Sequence, residues 1–215
     1  MSNDPNESTG TPYIAGAPGP TGSSGSLSFD YRAMYAKWVD VLTHPGAGTF
    51  DRLLPGANWQ DTLIGVAILG VAQAIFGFIA SAEIGRASAL GIVTGFIGAF
   101  IGFFVGVGIL WVSAHVFGGT GTFMPYAYVL SLIIVPLGII SAVAGIVPIL
   151  GGIIALAAAI YEVVLAVFAT AAAHRMSQGT AIAAVLVPAV IVLILFIILS
   201  IAAAAFLVSL NLFHP

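Results

Sequence analysis

Apolar residues run along this chain in five long blocks, and polar residues gather before and between them. A bilayer core of about 30 Å needs about 20 apolar helical residues. The blocks at about 61–82, 89–115, 125–147, 150–173 and 181–210 meet that length. Segments such as AVIVLILFIILSIAAAAFLV are apolar on all sides rather than alternating. That pattern predicts helices, which satisfy their own backbone groups in lipid, and not the strands of an outer-membrane barrel. The third and fourth blocks are separated only by Pro148 and the pair Gly151-Gly152, which predicts a tight hairpin. The block at 89–115 exceeds one span and predicts tilt or protrusion. In the fifth block, Pro188 predicts either the first turns of the helix or a kink.

Ahead of the blocks, FDYRAMYAKWVDVLT at 29–43 has a different pattern. Tyr31, Met34, Tyr35, Trp38, Val41 and Leu42 follow helical spacing, while Arg32, Lys37 and Asp40 take the other sides. The segment is too short and too charged to span. Trp, Tyr and Lys favour the headgroup zone, so it reads as an interfacial helix lying on the membrane. A helix folded back on the bundle is the plainer alternative. His44-Pro45-Gly46 ends it, since Pro45 cannot continue the hydrogen-bond ladder. The first 28 residues are rich in Gly, Pro, Ser and Thr and read as a disordered tail. They carry no basic n-region and no apolar h-region, so a secretory signal is not expected there. The expected organisation is a tail at 1–28, an interfacial helix and pre-membrane loop at 29–58, and a five-span domain at 59–215. The fold class is all-α: a polytopic membrane bundle of five transmembrane helices behind a short amphipathic helix.

Composition sharpens this reading. Of 215 residues, 60% are hydrophobic and 6% charged, against about 25% charged in soluble domains. Asp4, Glu7, Asp30, Arg32, Lys37, Asp40, Asp51 and Arg52 all precede residue 60; only Asp61, Glu83, Arg86, Glu162 and Arg175 follow. A soluble domain, a nucleic-acid binder and a disordered protein are excluded, the second for want of clustered Lys/Arg. With no cysteine, disulfides and thiolate metal sites are excluded too. Arg32, Lys37, Arg52 and Arg175 fall on one side of a five-span chain and Arg86 on the other. The positive-inside rule then predicts a multi-pass protein of the cell membrane, N-terminus cytoplasmic and C-terminus outside.

Two patterns carry candidate chemistry. Glu162 sits near the middle of the fourth block, where an ionised side chain costs roughly 2.5–3.5 kcal/mol on insertion scales. Gln73, Tyr128 and Tyr161 are its plausible partners. One reading is a proton, cation or lipid-headgroup site; the other is a hydrogen-bonded Glu that joins two helices. A polar cavity reaching Glu162 would favour transport, and a Glu162 sealed against Gln73 or a tyrosine would favour a scaffold. The second pattern is Gly91, Gly95, Gly98, Gly102 and Gly106, spaced three or four apart in the second block. Such a face lets helix backbones approach closely. It serves packing within one bundle or self-association.

Other chemistry is not signalled. HVFGGTGTF at 115–123 is glycine-rich, but no Lys follows and no strand precedes it, so it reads as a helix-breaking turn and not a phosphate cradle. His44, His115, His174 and His214 lack metal-ligand spacing, and no HExxH, GxSxG or GxxxxGK[ST] occurs. No enzyme, metal site, cofactor or catalytic residue is expected. The bilayer, other membrane proteins or a second copy are the expected partners.

The order of these features resembles a prokaryotic member of the Yip-one domain family, named for eukaryotic Ypt/Rab-interacting membrane proteins. The matching pieces are WVDVLTHPGAGTFDRL at 38–53, HVFGGTGTF at 115–123, and the aromatic-rich stretch from Tyr126 to Pro136. Tyr161 with His174-Arg175-Met176-Ser177 and Thr180-Ala181 completes the set, so the likeness covers about residues 35–212. It implies five spans, a cytosolic N-terminus and a scaffold or trafficking-like role without enzymatic activity. Eukaryotic members bind prenylated Rab-type GTPases. This chain lacks their acidic, aromatic-rich motif before the first span, so GTPase binding is not carried over to it. The rival expectation is a small transporter or channel that uses Glu162.

Overall fold

The computed structural model describes residues 30–83 and 89–213. They form seven α-helices: α1 Tyr31–Thr43, α2 Ala47–Leu53, α3 Trp59–Glu83, α4 Ala89–Val116, α5 Phe123–Ala144, α6 Pro148–His174 and α7 Gln178–Phe213. A 3-10 turn, Leu54–Gly56, links α2 to the bundle. Helices α3 to α7 are each long and apolar enough to cross a membrane. The 1–28 tail and Arg86 lie outside the described residues.

The helix ends follow from capping chemistry. Asn58 starts α3: its Oδ1 accepts the Asp61 N–H at 2.8 Å, satisfying an orphan donor of the first turn. Asp61 itself places negative charge at the positive end of the helix dipole. Ser177 starts α7 in the same way, its Oγ accepting the Thr180 N–H at 3.3 Å. Between α5 and α6 the turn is Gly145-Ile146-Val147, and Pro148 is the first residue of α6 rather than part of the separator. Proline suits a first helical position because its missing N–H would be unpaired there anyway. Gly151 and Gly152 therefore belong to α6. Gly151 lies against the Ala144 carbonyl, which keeps the hairpin tight.

Helix α5 is the centre of the bundle. It packs against α1, α3, α4 and α6 and holds a continuous buried run from Tyr126 to Ile133. Gly138 leaves room for Leu69 of α3, whose Cδ1 would stand 2.6 Å from an added Cβ. Contact between α3 and α4 works similarly: Gly70 receives the Phe96 ring, and Gly95 lies against the Ala74 backbone, 3.3 Å from an added Cβ.

The proline inside α7 leaves a carbonyl without its usual donor, and a side chain of α4 supplies one. Pro188 lies inside α7, beyond its first turns, and cannot donate to the carbonyl of Ala184. Ser113 Oγ of α4 donates to that oxygen at 2.7 Å. Elsewhere Trp111 Nε1 donates to the Gly121 carbonyl at 3.1 Å and ties α4 to the turn before α5. Lipid offers no replacement donor. Ser113→Ala should therefore destabilise the protein by about 1 kcal/mol, near the upper part of the range for intramembrane hydrogen bonds. A denaturation series in detergent would measure it, and an unchanged midpoint would mean that water or a shifted side chain takes over.

Helix α1 docks on the bundle with one face. Met34 and Val41 are buried, and Trp38 and Leu42 pack against the core. Tyr31 and Tyr35 face outward, 63% and 64% exposed, with Val39 beside them. The apolar stripe read from the sequence is thus two faces, one turned to protein and one turned away.

Candidate functional site

Two polar groups share an intramembrane cleft. Gln73 of α3 and Glu162 of α6 both line a cavity of about 520 Å³, whose opposite wall is α4. That wall includes Thr94, Gly95, Gly98, Gly102 and Gly106. An added Cβ at Gly98, Gly102 or Gly106 would meet nothing within 4 Å. Of the glycine stripe, Gly95 makes close backbone contact within the chain, while Gly98, Gly102 and Gly106 face open space. Gly91 stands at the start of α4, where its carbonyl accepts the Thr94 hydroxyl at 3.2 Å. On the other flank, Gly102, Gly106 and Leu110 also line an apolar crevice of about 560 Å³ against Pro188, Val192 and Leu193 of α7.

Glu162 is half-buried, and among the described residues its carboxyl group makes no hydrogen bond or ion pair. Gln73 is exposed on the cleft wall and is likewise unbonded. The two tyrosines expected beside Glu162 face elsewhere. Tyr161 Oη donates to the Leu42 carbonyl at 2.7 Å and so ties α6 to the end of α1. Tyr128 is fully buried, with its ring 5.5 Å from the Lys37 ammonium and its hydroxyl unpaired among the described residues. Adjacent positions on a helix point about 100° apart, which is why Tyr161 and Glu162 part company.

A second polar set pins α1. Lys37 Nζ lies 2.9 Å from Asp61 Oδ2, and both side chains are half-buried. Burial alone lowers the Lys37 pKa, but Tyr128 and Asp61 outweigh it and hold the group above the ordinary lysine value. Asp40 bridges His44 at 3.2 Å and Arg52 at 3.3 Å, joining α1 to α2. The sequence gives charge at these positions but no sign that Lys37 reaches Asp61 across 24 residues.

The glycine-rich loop is a packing device. Gly118, at φ 89°, occupies the left-handed position after α4, and Gly119 N–H reaches back to the Ala114 carbonyl at 2.8 Å. Helix α6 ends in the same motif with Arg175 at φ 53° and Met176 N–H on the Ala171 carbonyl. The two ends lock together through His174. Its Nδ1 accepts the Gly121 N–H at 3.2 Å and its carbonyl accepts Thr120 N–H at 3.3 Å. Its ring stacks edge-on to Tyr126 and His115. Among the described residues, no group of three His, Asp or Glu stands close enough to hold a metal. His214 lies outside them.

A family model described as the Yip1 domain matches residues 39–201, from the middle of α1 into α7. That stretch takes in the Lys37-pinned platform from Val39 onward, the locked loops and the cleft. No curated protein matches the chain, and no solved structure does. With five apolar helices of spanning length and a match over most of its residues, the chain is a multi-pass integral membrane protein and belongs to the Yip1 domain family.

Proposed function

We infer that the protein is a non-enzymatic membrane-organising scaffold that grips another membrane-embedded protein in the cleft at Glu162. The observation behind this reading is one cleft that holds two unbonded polar groups beside an open glycine wall. A partner helix seated there gains close backbone approach at Gly98, Gly102 and Gly106 and a hydrogen-bonding group at mid-depth. Apart from Glu162, Gln73 and Thr94, the lining is glycine, alanine and larger apolar side chains. Such a wall suits a membrane-embedded partner better than a hydrated ion. The cell membrane, with the N-terminus cytoplasmic and the C-terminus outside, is the orientation that the basic residues favour.

A small transporter or channel is the second reading. It is supported by the cavity that reaches a Glu162 sealed against neither Gln73 nor a tyrosine, and by Thr94, which lines the cleft nearer the end remote from α1 and makes a polar succession with Gln73 and Glu162. One experiment separates the two. A photo-reactive side chain at position 98, activated in native membranes, should give a discrete protein adduct. Glu162→Gln should preserve the adduct, because it keeps hydrogen-bonding capacity, and Glu162→Leu should diminish it. A proton-coupled flux in reconstituted vesicles that vanishes in Glu162→Gln would overturn the scaffold in favour of transport.

A further inference from the structure

A cavity of a different character opens at the end of the bundle that carries α1 and α2. Its volume is about 530 Å³, and its lining includes Asp51 of α2, Pro55, Thr120, Thr122, Pro125 of α5 and Arg175. We propose that it binds a phosphate ester that also carries a primary ammonium group, the headgroup chemistry of an ethanolamine phospholipid.

The charges are the first argument. Asp51 and Arg175 line one cavity, yet neither side chain bonds to the other or to any other described residue. A purely anionic ligand meets Asp51, and a purely cationic one meets Arg175. A ligand with both signs satisfies both, through charge-assisted hydrogen bonds.

Donors on the Arg175 side are the second. Thr122 is the N-cap of α5, but its side chain makes no capping bond. The first N–H groups of a helix have no partner inside it, and Pro125 brings no N–H at all. The Thr120 and Thr122 hydroxyls are also unbonded among the described residues. Guanidinium, hydroxyls and helix terminus together suit a phosphate on that side. The ammonium then falls to Asp51, the acid of the same lining.

Depth in the membrane is the third. Trp59 begins α3 at this same end and is 41% exposed, and tryptophan marks the headgroup level. Arg175 also holds a left-handed conformation that glycine adopts more cheaply, so this position places a charge on the rim at some conformational expense.

The test uses the full-length protein in detergent, with lipid retention read by native mass spectrometry. Equimolar di-acyl phosphoethanolamine, phosphocholine and phosphoglycerol lipids are offered together. The ethanolamine lipid should be retained over both others, since choline cannot donate an N–H to Asp51 and phosphoglycerol carries no cation. Asp51→Asn should reduce its advantage over phosphoglycerol roughly tenfold, the scale of one lost charged hydrogen bond. Arg175→Gln should lower retention of all three. Both side chains are exposed, so unchanged helical melting curves should accompany these losses. Soluble glycerophosphoethanolamine added in excess identifies the source of the headgroup: displacement points to a free phosphate ester, and persistence to the lipid. Equal retention of the three lipids, or variants that retain them as the parent does, would overturn the site.

Discussion

Gly121→Ala should destabilise the protein by about 3 kcal/mol, the upper end of what overpacking costs. The added Cβ would overlap the Ala173 carbonyl oxygen and lie 3.0 Å from the His174 Cγ. Neither neighbour can yield. Ala173 is backbone in the last turn of α6, and His174 is held between Tyr126 and His115. The substitution should also loosen the Gly121 N–H bond to His174 and the Trp111 bond to the Gly121 carbonyl. Gly152→Ala is the control, since nothing stands within 4 Å of its Cβ position. Denaturation in detergent, followed by helical signal, reads the difference. A Gly121→Ala midpoint equal to that of the control would mean that the loop between α4 and α5 is free to move away from α6.

Gly102→Phe should leave the fold intact and abolish partner capture. Position 102 faces open space and lines both the Glu162 cleft and the crevice against α7. A phenyl ring there would occupy the space a partner helix needs. The adduct formed from position 98 should fall at least about tenfold, corresponding to about 1.4 kcal/mol of lost fit. Gly95→Phe should behave differently and impair folding, because its Cβ already approaches the Ala74 backbone at 3.3 Å. An adduct that survives Gly102→Phe undiminished would place the partner on another face of the bundle.

The five spans were legible because runs of about 20 apolar residues admit few other structures. Their ends were less so. Helix α5 begins at Phe123 and stops at Ala144, against an expected 125–147, since Thr122 and Gly145 set its limits through local geometry that hydropathy does not register. Pro148 and the Gly151-Gly152 pair looked like a separator because proline and glycine usually interrupt helices. Here one starts α6, and Gly151 gives room for the Ala144 carbonyl. Glu162 and Gln73 were legible as polar residues at mid-block, and the fold places them on one cleft. Tyr128 and Tyr161 point elsewhere because helix rotation and the docking of α1 decide their partners, and neither is written in span length. The stripe from Gly91 to Gly106 was visible, but which glycines touch a neighbour depends on how α4 crosses α3 and α7. The Lys37–Asp61 pair and the Asp51–Arg175 cavity join residues far apart in the chain, and nothing local announces either.

The Ser113 hydroxyl and Pro188 make residues on two helices conditional on each other. With an ordinary residue at 188, its amide would bond Ala184, and Ser113 would share that acceptor instead of serving as its replacement donor. With alanine at 113, Pro188 leaves that carbonyl bare in lipid. The cost of losing the Ser113 hydroxyl therefore depends on Pro188 and should shrink once residue 188 carries an amide N–H. Substitution histories at these two positions should therefore be correlated.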